Sequence, residues 1–202
     1  YTIVPSGQTS SNYAISYVNG SLTVNKAGLT VTADNKTKEY GAANPTLTYT
    51  ITGYVNNETA SVLTGTPTIA TTATTTSGVG TVAITAALGT LASNNYSFAT
   101  ADGTLTIGTK ALTITATNAT KTYDGLAYTG GNGVTYSGFV NSETATALGG
   151  TLAYGGTSQN TKNVGTYSIT GGGSSALGYT LSYTDGTLTL NQANLTVTAT
   201  EV

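Results

Sequence analysis

The sequence has no cysteine, histidine, methionine or tryptophan, and all six of its basic residues are lysines. Without cysteine there is neither a disulfide framework nor a thiolate metal site. Without histidine as well, the commonest general base and the usual soft-metal ligands are missing, leaving only carboxylates, lysines, tyrosines and hydroxyls for chemistry. Charged residues make up 7% of the chain and its formal net charge is −2. With no basic cluster, phosphate neutralisation has nothing to work with, which argues against nucleic acid as a partner. Apolar runs are a few residues long, far short of the roughly 20 needed to span a bilayer, so no membrane insertion is expected. No basic-then-apolar signal segment begins the chain. The lack of an initiator methionine and a start in mid-pattern at Tyr1 predict a stretch cut from a longer polypeptide.

What is abundant is threonine, at 47 of 202 residues, together with 26 glycines and 14 tyrosines. Threonine, valine, isoleucine and tyrosine suit a pleated, half-buried surface, so this composition predicts strands.

The pattern is periodic. Leu29-Thr30-Val31-Thr32-Ala33 recurs as Leu112-Thr113-Ile114-Thr115-Ala116 and as Leu195-Thr196-Val197-Thr198-Ala199, 83 residues apart each time. Asn19-Gly20-Ser21-Leu22-Thr23-Val24, Asp102-Gly103-Thr104-Leu105-Thr106-Ile107 and Asp185-Gly186-Thr187-Leu188-Thr189-Leu190 keep the same spacing. In mid-repeat, Gly53-Tyr54-Val55-Asn56-Asn57-Glu58-Thr59 matches Gly138-Phe139-Val140-Asn141-Ser142-Glu143-Thr144 at an offset of 85. Two residues are gained and later lost, as surface loops tolerate. Residues 26–108 and 109–191 are thus two full modules. They are flanked by the end of a preceding repeat (1–25) and the first strand of a following one (192–202).

Within a module apolar residues alternate: Leu29, Val31 and Ala33; Leu47, Tyr49 and Ile51; Val82 and Ile84; Tyr96 and Phe98; Leu105 and Ile107. Period two predicts half-buried strands, with Leu29, Val31, Leu105, Ile107 and their equivalents Leu112, Ile114, Leu188 and Leu190 inward and the intervening threonines outward. Asp102-Gly103 and Asp185-Gly186 lie between alternating runs and predict a hairpin closing each module. Glu58 to Leu63 and Glu143 to Leu148 read as one or two helical turns, each after Asn or Ser residues able to cap. The chain is therefore expected to be mainly β. Six or seven strands and one short helix per module suit immunoglobulin-like β-sandwich modules first and β-grasp-like modules second.

Lys38-Glu39-Tyr40-Gly41 followed by Asn44-Pro45-Thr46-Leu47 resembles the YGX type of MBG domain, a group that is mostly β and glycine-rich. Lys121-Thr122-Tyr123-Asp124-Gly125 in module two resembles the YDG type and lacks the Asn-Pro turn. The resemblance spans essentially the whole chain. It implies a tandem module of large secreted or surface-attached bacterial proteins, including adhesins, and hence an extracellular stalk; it implies no catalytic residues.

No residue set predicts a catalytic, cofactor-binding or metal site. Glu58 and Glu143 recur in both modules and read as part of the fold, as do Asp102 and Asp185. Lys38 and Lys121 could pair with Glu58 and Glu143, or form a lysine–asparagine isopeptide crosslink. Asp34 and Asn35 are the best placed pair for calcium, although no dense acidic loop occurs. Tyr13, Tyr96 and Tyr179 fall at equivalent strand positions and are expected in the core. The Asn-x-Ser/Thr pattern at Asn19, Asn35, Asn57, Asn95, Asn118 and Asn194 is common in so Asn- and Thr-rich a chain. Ala70 to Ser77 reads as an edge strand or a loop. Three roles follow. A structural spacer leads, supported by strict repetition and by linkers as short as Gly108 to Ala111. A carbohydrate-binding or cell-cell adhesive module and a subunit of a homopolymeric surface filament are the alternatives. The expected partners are neighbouring repeats, with other copies or surface glycans next.

Overall fold

The computed structural model describes residues 1–199. Alternation decides the register. Leu29, Val31, Leu105, Ile107, Leu112, Ile114, Leu188 and Leu190 are each at most 2% exposed, while the threonines between them are partly or fully exposed. A one-residue slip would bring the threonines inward and expose all eight apolar side chains, at about 2 kcal/mol each.

Each module has seven strands. In the first these are β3 (Ala27–Ala33), β4 (Lys36–Glu39), β5 (Tyr49–Thr52), β6 (Thr68–Thr71), β7 (Gly80–Ala87), β8 (Tyr96–Ala101) and β9 (Gly103–Gly108). The second repeats them as β10 (Lys110–Ala116), β11 (Ala119–Thr122), β12 (Val134–Ser137), β13 (Gly149–Gly155), β14 (Gly165–Ser175), β15 (Tyr179–Thr184) and β16 (Gly186–Asn191). The strand orders are β5-β3-β8 and β4-β9-β7-β6 in the first module, β12-β10-β15 and β11-β16-β14-β13 in the second. The topology is the same in both, so the chain is mainly β in tandem modules. First and last strands lie side by side and parallel, as Leu29↔Phe98 and Lys36↔Leu105 show. Leu112↔Leu181 and Ala119↔Leu188 repeat the arrangement. Both strands also bend from a three-stranded into a four-stranded sheet, which gives each module its two sheets.

That bend corrects the expected closing hairpin. Asp102-Gly103 joins β8 to β9, which pair with β3 and β4 rather than with each other; Asp185-Gly186 does the same between β15 and β16. Neither Gly103 nor Gly186 has a positive φ. Glycine is required for closeness instead. A Cβ on Gly103 would lie 2.4 Å from the Ala33 carbonyl oxygen, and one on Gly186 would lie 2.5 Å from that of Ala116. The neighbouring strand closes the corner: Asn35 Oδ1 accepts the Thr104 N–H at 2.7 Å and Asn118 Oδ1 accepts the Thr187 N–H at 2.8 Å.

The helical expectation reduces to a single 3₁₀ turn per module, Ala60–Val62 and Ala145–Ala147, and neither preceding threonine caps it with its side chain. The Asn and Ser residues before it serve the turn described below. The Thr-rich run opens in β6, at the end of its strand order, and continues as a loop from residue 72.

The chain divides into two compact units that do not follow the sequence repeat. The first holds residues 1–34, 47–70 and 84–103; the second holds 35–46, 71–83 and everything from 104 onward. In the first unit Leu29, Val31, Ala33, Ile84 and Tyr96 are buried. It also contains a short ladder of β1 (Thr2–Ile3) and β2 (Gly20–Ser21). There Ile3↔Gly20 reproduces the register of Ile169↔Gly186, 166 residues further on. In the second unit Ala116, Ala119, Ile169, Leu188 and Leu190 form a core sealed by Tyr128, Tyr154 and Tyr167. Leu195 and Val197 are 88% and 87% exposed, and no strand forms among residues 192–199.

Candidate functional site

The block around Glu58 and Glu143 builds the same node in both modules. Gly138 approaches the first strand of its own module, where a Cβ would lie 2.4 Å from the Ala111 carbonyl oxygen; Gly53 meets Gly28 in the same way at 2.5 Å. Two left-handed residues follow, Asn56 and Asn57 in module one, Asn141 and Ser142 in module two. Asn tolerates that conformation better than most residues. The turn closes with the Glu58 N–H donating to Val55 O at 3.0 Å, and Glu143 to Val140 O at 2.9 Å.

The turn aims each glutamate at a tyrosine. Tyr96 Oη donates to Glu58 Oε2 at 2.5 Å and accepts the Val55 N–H at 3.1 Å. Tyr179 Oη donates to Glu143 Oε2 and accepts the Val140 N–H at 3.1 Å. Aromatic edges support both: Tyr54 against Tyr96 at 5.9 Å and Phe139 against Tyr179 at 5.6 Å. Tyr96 and Tyr179 are buried, as expected, whereas Tyr13 is 78% exposed.

Glu143 has a second tyrosine. Tyr40, from the module before, donates to its Oε1 at 2.5 Å and stacks edge-on against Tyr179 at 5.6 Å. All three residues belong to the second compact unit. Tyr40 is held at the end of β4, its N–H bonded to Gly108 O at 2.8 Å. Two glycines make room. A Cβ on Gly41 would lie 2.3 Å from Val140 Cγ2, and one on Gly178 would lie 2.8 Å from the Tyr40 ring. An ion pair, Lys110 to Glu39 at 2.6 Å, lies beside them. Its partners are substantially exposed, so it contributes under about 1 kcal/mol, and no charge stands at the next equivalents, Thr122 and Ala193.

These contacts raise the tyrosine pKa values. The bond to Glu143 is the main cause for Tyr40, with burial next. For Tyr179 burial leads and Glu143 follows; for Tyr96 the bond to Glu58 leads. A carboxylate acceptor favours the protonated phenol.

The expected lysine–glutamate pairs do not form. Lys38 Nζ donates to Asn44 Oδ1 at 2.9 Å and Ala42 O at 3.1 Å in the loop that follows it, and to Thr74 O at 2.5 Å in the loop between β6 and β7. Lys121 pairs with Asp124 at 2.9 Å and donates to Leu126 O at 2.9 Å. The glutamates are taken by tyrosine hydroxyls instead. The residues named for calcium are engaged in the fold: Asp34 accepts the hydroxyls of Thr48 at 2.5 Å and Thr50 at 2.9 Å, while Asn35 binds Thr104. No group of three or more acidic residues able to hold a metal occurs among the described residues. The missed signal was the left-handed Asn-Asn and Asn-Ser pair, which reads as a tight turn delivering the glutamate that follows.

Repeated strand topology, a shared corner and a tyrosine passed from one module to the next define a tandem β-repeat protein. A family model, MBG domain (YGX type), matches residues 29–106 and 112–189, and the chain belongs to that family. The second match includes Tyr123-Asp124-Gly125, so module two, expected to be of the YDG type, matches the YGX type as module one does. No curated protein and no solved structure matches the chain. No helix among the described residues is long and apolar enough to cross a membrane.

Proposed function

We propose that this chain is a non-catalytic structural spacer of a bacterial cell-surface or secreted adhesin, in which consecutive repeats are fastened to one another. The observation that carries this reading is the Tyr40–Glu143 bond, which joins residues of two sequence repeats inside one compact unit. Only four residues separate Ile107, at the end of one module's last buried run, from Leu112, at the start of the next. So short a connection leaves little room for a flexible tether.

The exposed tyrosines do not favour glycan binding. Of the exposed tyrosines, Tyr1, Tyr13 and Tyr17 lie in residues 1–25 and Tyr49 and Tyr123 in the two modules, whereas Tyr96 and Tyr179, the equivalents of Tyr13, are buried. The burial of Tyr96 and Tyr179 supports a structural use of the repeated tyrosine over a glycan-binding platform. Glu58, Glu143 and Asp102 have structural partners, which supports a role without catalysis.

Small-angle scattering on an array of four repeats tests the reading. A spacer with strands of about ten residues along its axis should add roughly 35–40 Å per repeat. A maximum dimension near 150 Å is expected; that of a compact globule would overturn the spacer role.

A further inference from the structure

Tyr123 is the repeat equivalent of Tyr40, and its N–H makes the same bond, to Asn191 O at 2.9 Å. Its surroundings differ. Tyr40 is partly buried against Glu143, whereas Tyr123 is 46% exposed and no partner bonds its hydroxyl among the described residues. Gly125 carries the positive φ of Gly41, 77° against 79°, but a Cβ there would meet nothing within 4 Å. Beside Tyr123 lies an open hollow of about 540 Å³ lined by Asn163, Val164, Gln192, Asn194 and Leu195. The chain leaving it, Leu195-Thr196-Val197-Thr198-Ala199, has the pattern of β3 and β10, yet Leu195 and Val197 are almost fully exposed where Leu29, Val31, Leu112 and Ile114 are at most 1% exposed.

From this, resting on the spacer reading, we infer that the Tyr123 face is one half of a junction and that its occupant is the glutamate turn of a following repeat of the same kind, joined through Gln192–Ala199. Tyr123 donates to that glutamate as Tyr40 donates to Glu143. The occupant has a recognisable feature: glycine immediately before its buried tyrosine, as in Gly178-Tyr179. Tyr40's ring occupies the space a side chain at Gly178 would need. Asn95 stands at the equivalent position before Tyr96, so the glutamate turn of module one is not cleared in this way, and the inference concerns the Tyr123 face alone.

The test extends the full chain by one repeat, continuing after Ala199 with the sequence of residues 117–191, and compares it with the 202-residue chain. In the extended protein Tyr123 should be protected from nitration by tetranitromethane by about tenfold or more. Tyr123→Phe should lower the extended protein's melting midpoint by about 4 °C, while leaving the 202-residue chain unchanged. Replacing the added copy of Gly178 by Asn should remove both effects. Equal nitration of Tyr123 in the two proteins, whether or not the added repeat folds, would overturn the inference. The spacer reading fails separately, through a compact four-repeat array.

Discussion

Gly103 lies directly under the Ala33 carbonyl, where a Cβ would sit 2.4 Å from the oxygen. This contact is what lets the last strand of the module bend from one sheet to the other beside the first. Gly103→Ala should therefore cost about 1–3 kcal/mol, through overpacking against backbone that cannot move aside. Gly28→Ala is the control, since nothing lies within 4 Å of a Cβ there and its φ is not in the left-handed range. It should leave stability within about 0.5 kcal/mol. Urea melts of both variants check the pair, and equal effects would refute the corner's role.

Alkaline pH should loosen the tyrosine–glutamate nodes. The folded-state pKa values of Tyr40, Tyr96 and Tyr179 are raised, so above pH ~10, where unfolded tyrosine ionises, the folded protein holds more protons than the unfolded chain. The contribution is complete below that pH and is lost as pH rises through the folded values. Denaturant melts at pH 9 and pH 11 should show a loss that is smaller in Tyr40→Phe. An identical loss in that variant would show that Tyr40 takes no part.

Chelators should leave the melting temperature unchanged, because the Asp34 carboxylate is satisfied by Thr48 and Thr50. A drop of more than about 5 °C in EDTA, roughly 1 kcal/mol for a domain of this size, would point to a bound cation.

Much of the fold was legible because alternation is a local signal. The inward set Leu29, Val31, Leu105 and Ile107 and its copies follow from period two alone. The corners were not legible. Asp102-Gly103 has the composition of a hairpin turn, and only the pairing of β8 with β3 and of β9 with β4 shows that the strand continues. The same limit applies to the node. Repetition marked Glu58 and Glu143 as structural, but charge pairing suggested lysine partners, whereas burial beside a tyrosine hydroxyl decided the outcome. Tyr40 could not be assigned to Glu143 from spacing, because the contact crosses 103 residues and a module boundary.

The fastening of one repeat to the next is tested most directly by a double-mutant cycle on Tyr40→Phe and Glu143→Ala in the full chain, read by equilibrium urea unfolding. Glu143→Ala also removes the Tyr179–Glu143 bond, but that loss is common to both arms of the cycle and cancels, so the cycle isolates the Tyr40–Glu143 interaction. A hydrogen bond to a carboxylate in a partly exposed site should give a coupling energy of about 1 kcal/mol. A coupling within about 0.3 kcal/mol of zero would mean that the two repeats touch without being fastened, and would contradict the account.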